Sequence, residues 1–123
     1  MRTGVDRTKA VLSWPMSTIV YCVTATLPDE ATCREYVEWL HEGHVTDVIA
    51  GGASSGCVVR IEDPATPIRV ETRYEFESRE ALDRYVEEAA PTLRAEGLAR
   101  FGPERGVRFE RRVGRVVTAP NLD

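Results

Sequence analysis

The pattern of apolar and polar positions predicts four strands along this chain. Residues 17–26 are mostly β-branched, aromatic or small, with no polar alternation, which predicts a strand buried on both faces and central in its sheet. Residues 68–76 alternate strictly between apolar and charged positions, which is typical of a strand with one buried and one polar face. Residues 57–61 and 107–117 are the two remaining predicted strands.

Two amphipathic helices are predicted between these strands. Pro28 and Asp29 suit the start of the first helix, whose apolar stripe falls at helical spacing. The stripe consists of Cys33, Tyr36, Val37, Leu40 and His44. Trp39 lies off it and is expected at the surface or in a dimer contact. Ser78 is a good N-cap for the second helix, and Pro91 is expected to kink that helix or to start a new segment.

The order strand, helix, strand occurs twice, which predicts an α+β fold. Its arrangement would be a ferredoxin-like βαββαβ sandwich with a four-stranded antiparallel sheet. We assign residues 16–118 to a single domain and residues 119–123 to a polar tail. Residues 1–15 are interpreted as an N-terminal arm, either disordered or upstream of a natural start at Met16.

Two helices can cover only one face of such a sheet, which leaves the other face open. Val20, Cys22 and Thr24 fall in the middle of that open face. The charged residues expected around them are Arg60, Glu71, Arg73, Glu75, Arg108 and Glu110. An apolar centre within a charged ring is typical of a subunit interface, so a homodimer through the sheet face is predicted. A solvated open face is the alternative.

The amino-acid composition of the chain limits which partners the protein is expected to bind and in which cellular compartment it is expected to occur. The formal charge of −4 argues against nucleic acid as a partner, and no apolar run reaches the length of a membrane span. Three scattered cysteines, Cys22, Cys33 and Cys57, provide no disulfide framework and no zinc-ribbon spacing. A cytoplasmic protein with reduced thiols is therefore predicted.

His44 is the first candidate for chemistry, because a histidine between a helix and a sheet can act as a proton shuttle. The structural alternative is a partly buried histidine bonded to a backbone carbonyl. His41, His44 and Asp47 also suggest a metal, but three ligands from one short helix seldom surround an ion, so no metal and no cofactor are predicted. Tyr21 and Tyr74 face the helices and could orient a ligand, or could be core aromatics.

Four segments resemble the dimeric α+β barrel superfamily and, within it, a family of short uncharacterised bacterial proteins. The segments are IVYCVTATLPDE, EYVEWLHEGHVTDVIAGG, YEFESREALDRYVEEAAPTLRAEGLARF and VRFERRV. The resemblance implies a dimeric α/β barrel with a ligand cleft between the helices and the sheet of each subunit. In such a cleft we expect Tyr21, Tyr74, His41 and Leu40 to bind a small organic ligand.

The resemblance leaves two functions open. One is a homodimeric small-molecule-binding protein of unknown specificity. The other is a cofactor-free monooxygenase or isomerase/cyclase that acts on an aromatic or polyketide-like substrate, with His44 as the proton shuttle. No complete catalytic motif in the sequence decides between binding and catalysis.

Overall fold

Four strands and a layer of helices occupy residues 17–118, the part of the chain that the structure, a computed structural model, describes. The strands are β1 (Ile19–Leu27), β2 (Ser55–Arg60), β3 (Ile68–Phe76) and β4 (Arg108–Arg115). The α-helices are α1 (Glu30–Trp39), α2 (Val45–Ala50), α3 (Arg79–Glu88) and α4 (Ala90–Arg100). A π-helical turn (Leu40–His44) joins α1 to α2, and a 3-10 turn (Pro103–Arg105) precedes β4. The predicted arm and tail lie outside the described residues.

The sheet has the strand order β2-β3-β1-β4, and each neighbouring pair is antiparallel. This confirms the predicted ferredoxin-like sandwich, including the central position of β1. Val23 lies in the middle of β1, opposite Thr72 of β3 and Arg111 of β4. These three residues form one row across the sheet on the side that faces the helices.

Local sequence signals explain where the helices begin. The Asp29 carboxylate accepts a hydrogen bond from the Thr32 amide at 2.8 Å, and the Ser78 hydroxyl accepts one from the Ala81 amide at 3.1 Å. Both side chains satisfy amides that have no partner within the helix. The second predicted helix is divided into α3 and α4, with Pro91 in the first turn of α4, where a missing amide hydrogen costs little.

The core consists of two clusters of buried side chains rather than one. The first cluster includes Ile19, Tyr21, Val48, Tyr74, Phe76, Leu82 and Tyr85. The second cluster includes Ala25, Leu27, Cys33, Tyr36, Leu40, Val70, Phe101 and Val107. Both lie between the sheet and the helices, so the helix-facing side of the sheet carries the core as predicted.

The opposite face of the sheet is uncovered among the described residues. Glu71 lies near its centre, only 5% exposed, and forms ion pairs with Arg73 at 2.7 Å and with Arg112 at 2.9 Å. The prediction for Arg60 is wrong. Its guanidinium binds the Glu30 carboxylate of α1, because Arg60 is opposite the buried, helix-facing Val70 and shares that side of the sheet.

Candidate functional site: a cavity between helices and sheet

A cavity of about 500 Å³ separates the two core clusters. Tyr21 and Tyr74 of the first cluster form one side of its wall, and Tyr36 and Leu40 of the second cluster form another. Its volume falls within the range of small-molecule sites, and its wall is predominantly aromatic and aliphatic. The cleft that the sequence predicts between helices and sheet is therefore present in the fold.

The middle row of the sheet explains why this space stays unfilled. Thr72 and Val23 are small, and the guanidinium of Arg111 extends toward Tyr21, so the row brings little bulk into the space above it. The row toward one end of the sheet carries Tyr74 and Tyr21, whose rings stack at 6.1 Å between centroids. The large side chains of Tyr74 and Tyr21 thus keep the helices at a distance from the smaller side chains of the middle row, which form the floor of the cavity.

The structure brings together four of the five residues proposed from sequence. Tyr21, Tyr74, Leu40 and His44 all line the cavity. His41 does not: its side chain is exposed and lies outside the cavity wall. The π-helical turn contains both histidines, and only the second of them reaches the cavity.

His44 has an unusual environment for a surface-helix histidine. Its ring stacks on Trp39 with 4.1 Å between centroids, and its Nδ1 atom is buried without a hydrogen-bond partner among the described residues. Burial lowers the pKa of His44, and the nearby Asp47 opposes that shift. The imidazole is therefore neutral at pH 7 with a ring nitrogen free, and no backbone carbonyl of residues 17–118 bonds to that nitrogen.

Trp39 lies partly buried against the cavity, which differs from the surface position expected from its place off the apolar stripe. The reason is Gly97 of α4. A β-carbon at Gly97 would lie 3.3 Å from the Trp39 ring, so the glycine makes room for the indole to enter the helix layer. This contact joins two segments that are far apart in sequence, and helical periodicity alone does not reveal it.

Two arginines in the cavity wall were missed by the sequence analysis. Arg94 Nη2 and Arg111 Nε each donate a hydrogen bond of 3.2 Å to the Tyr21 hydroxyl oxygen. The alternation of side chains along β4 could have identified Arg111, because Arg111 occupies the same face of the strand as Phe109 and Val113, the face toward the helices. Arg111 is thus a charged residue at a helix-facing position of edge strand β4, where its guanidinium reaches the Tyr21 hydroxyl.

Three tyrosine hydroxyl groups in the wall, those of Tyr36, Tyr74 and Tyr85, stay protonated at physiological pH. Burial raises the pKa of Tyr36 and Tyr85 to about 12 and also raises that of Tyr74. The Thr72 side chain is fully buried in the same wall. The phenols can therefore act as hydrogen-bond donors to a ligand but are poor bases. Within residues 17–118, no group of three or more potential ligands is arranged to hold a metal ion.

Comparison with solved structures gives similar folds at low sequence identity. A dimeric ferredoxin-like protein from an uncultured marine organism is 13% identical, with 83% of this chain and 97% of that chain covered and a TM-score of 0.69. An ethyl tert-butyl ether d (ethd) family protein from Bacillus halodurans is 10% identical, with 81% and 99% covered and a TM-score of 0.63.

SnoaB, a cofactor-independent oxygenase from Streptomyces nogalater, is also similar: it is 10% identical, with 84% of this chain and 96% of that chain covered and a TM-score of 0.60. At these identities the similarity establishes the fold alone. Comparison with curated proteins finds no match. None of the helices within residues 17–118 has the length and apolar character required to cross a membrane.

Family assignment rests on a match that extends over nearly the whole described region. The match covers residues 18–115, from the start of β1 to the end of β4, and so includes both halves of the sandwich and every strand that contributes to the cavity. This chain belongs to the family described as Domain of unknown function (DUF4286).

Proposed function

We propose that this protein is a homodimer that binds a small organic molecule in the cavity between its helices and its sheet. The cavity itself is the observation that carries the proposal. Small-molecule sites in proteins are concave, mostly apolar clefts of about 300–1,000 Å³, and this cleft has a volume of about 500 Å³. Its wall also contains His44, whose buried Nδ1 atom has no hydrogen-bond partner among the described residues.

The dimer is proposed from the open sheet face. Val20, Cys22 and Thr24 are half-buried in the single subunit and have no covering element among the described residues. Packing a second sheet on this face would remove them from water. Structures similar to this chain include proteins described as dimeric, which supports the same arrangement here. Three free cysteines agree with a cytoplasmic location.

Filling the cavity should prevent ligand binding without unfolding the protein. We expect Val23→Phe to place an aromatic ring over the cavity floor and to weaken binding of a neutral apolar probe, N-phenyl-1-naphthylamine, by about 10-fold or more. Probe fluorescence during titration measures the dissociation constant, and thermal melting shows that the variant remains folded.

Val58→Phe is the matched control for this experiment. Val58 lies in the same row of the sheet, on edge strand β2, but it does not line the cavity and is 37% exposed. The same substitution there should leave probe binding unchanged. Equal probe affinity in the two variants, or no probe binding by the wild type, would contradict the proposed function.

A second candidate function is cofactor-free oxygenation or isomerisation of an aromatic or polyketide-like substrate, with His44 as the proton shuttle. The unpartnered Nδ1 atom of His44 favours it, because a neutral, buried imidazole can accept a proton from a bound substrate. His44 also borders an outer groove that contains Glu42, Asp47 and Glu96, so a proton could leave toward solvent. SnoaB, which has a similar fold, is described as a cofactor-independent oxygenase.

Oxygen consumption with a hydroxyaromatic substrate that has an acidic C–H bond tests this candidate. We expect His44→Gln to lower the rate by about 100-fold, within the usual contribution of a general base. Because only neutral His44 accepts a proton and its pKa is lowered, the wild-type rate should fall with decreasing pH only below pH 6.5. His41→Gln is the control and should keep the full rate. Unchanged turnover in His44→Gln would exclude this role.

A further inference from the structure

Two arginines of the cavity wall, Arg94 and Arg111, form no ion pair among the described residues. Arg94 and Arg111 converge on the Tyr21 hydroxyl, and within residues 17–118 no carboxylate lies within ion-pairing distance of either guanidinium. Five other arginines of that region form ion pairs with carboxylates. They are Arg60, Arg73, Arg79, Arg105 and Arg112. Arg94 and Arg111 differ from the other arginines of that region that form no ion pair, because both donate to the same atom of the cavity wall, the Tyr21 hydroxyl oxygen.

The cavity wall as a whole is positively charged, although the chain is not. The formal net charge of the protein is −4, with 20 acidic and 16 basic residues. Among the described residues, Arg94 and Arg111 line the cavity with guanidinium groups bonded to Tyr21, and no aspartate or glutamate lines it. A predominantly acidic chain that places only cations around its cavity is suited to an anion there.

The arginine pair also has unmet hydrogen-bonding capacity. Arg94 Nε is buried and has no partner among the described residues, and a buried donor without an acceptor is costly. The two guanidinium groups share one phenol oxygen, which brings like charges close together. An anionic group placed between them would accept hydrogen bonds from both and remove the repulsion.

We propose that the ligand of this cavity is an aromatic carboxylate, with its carboxylate bound by Arg94 and Arg111 and its ring against the aromatic wall. This inference rests on the proposed function and specifies the ligand class. Arg111 is exposed and Arg94 is half-buried, so the carboxylate would keep part of its hydration and its desolvation cost would be moderate. Guanidinium groups suit the role because their planar donors match a carboxylate.

A pair of ligands that differ only in charge provides the test. Calorimetric titration with 2-naphthoate and with 2-naphthamide compares an anion and a neutral molecule of nearly equal shape. We expect the wild type to bind the carboxylate about 10- to 100-fold more tightly, as charge-assisted hydrogen bonds imply. Arg94→Met and Arg111→Met, tested separately, should each reduce this preference and leave naphthamide binding intact. Arg84→Met is the control, because Arg84 is exposed on α3 outside the cavity.

The outcomes separate this inference from the proposed function. Equal affinity of the wild type for the two compounds would overturn the anion proposal while ligand binding stands. A carboxylate preference that persists in both cavity variants would overturn it as well, because the charge would then be recognised elsewhere. Failure of both naphthalenes and of the neutral probe to bind would overturn the proposed function together with this inference. A preference that weakens with rising salt in the wild type supports the arginine pair.

Discussion

Arginine in place of Thr24 is expected to convert the proposed dimer into folded monomers. Thr24 lies on the open sheet face, opposite Glu71 of β3 and Glu110 of β4. Within its own sheet the new cation would therefore lie beside carboxylates, which favours folding of the subunit. Against a second sheet, the long charged side chain would overlap with the facing subunit and would lose its hydration. We expect the dimer dissociation constant to rise by at least about 100-fold.

Sedimentation at several protein concentrations measures this change, and circular dichroism shows whether the subunit remains folded. Thr92→Arg is the matched control, since Thr92 is exposed on α4, on the far side of the sandwich from the open face. That variant should remain a dimer. A wild type that is monomeric at high micromolar concentration, or a Thr24→Arg variant that dimerises normally, would rule out the sheet-face dimer.

Truncation of Phe101 should cause the largest loss of stability among the single substitutions considered. Phe101 is fully buried in the second core cluster, at the end of α4. Its ring packs edge-on against Tyr36, with 5.2 Å between centroids, and lies 5.5 Å from the Trp39 ring. We expect Phe101→Ala to lower the free energy of unfolding by about 3–5 kcal/mol, because the substitution leaves a cavity that the sheet cannot close.

Urea unfolding followed by circular dichroism measures the effect of Phe101→Ala. Val86→Ala is the control, because Val86 is 38% exposed on α3 and its truncation should cost less than about 1 kcal/mol. Equal losses in the two variants would mean that the second cluster does not stabilise the fold as its burial indicates. Phe101 does not line the cavity itself, so the measurement tests the packing of the second cluster, which supports Tyr36 and Trp39 in the cavity wall.

The sequence pattern was sufficient to predict the sandwich. The repeat of apolar positions along the chain predicts the strands and the two helical regions. Asp29 and Ser78 mark helix starts because their side chains cap the first turn, and Pro91 marks the start of α4. Because successive side chains of a strand point to opposite faces of the sheet, the apolar positions then identified which residues face the helices. For that reason the sequence predicts Tyr21 and Tyr74 beneath the helix layer, and both are buried there in the structure.

Periodicity was insufficient where the register between neighbouring strands decides which face a residue occupies, as for Arg60 opposite the helix-facing Val70, or where the helix is irregular. Arg60 was assigned to the open face although its guanidinium binds Glu30 of α1. A regular helix places His41 and His44 on neighbouring parts of its surface, whereas the π-helical turn leaves His41 exposed and brings His44 onto Trp39. An extra residue in one turn is not visible in a count of 3.6 residues per turn.

By itself the sequence determined the element order, the antiparallel sheet, the inward-facing tyrosines and the histidine of the first helical region. Only the tertiary structure decided that a cavity remains and that its wall is cationic. The arginine pair depends on contacts between residues far apart in the chain: Tyr21 is 73 residues from Arg94 and 90 residues from Arg111. Local periodicity sets the direction in which each side chain points, whereas a site arises from distances between elements, and those are fixed only when the helices pack on the sheet.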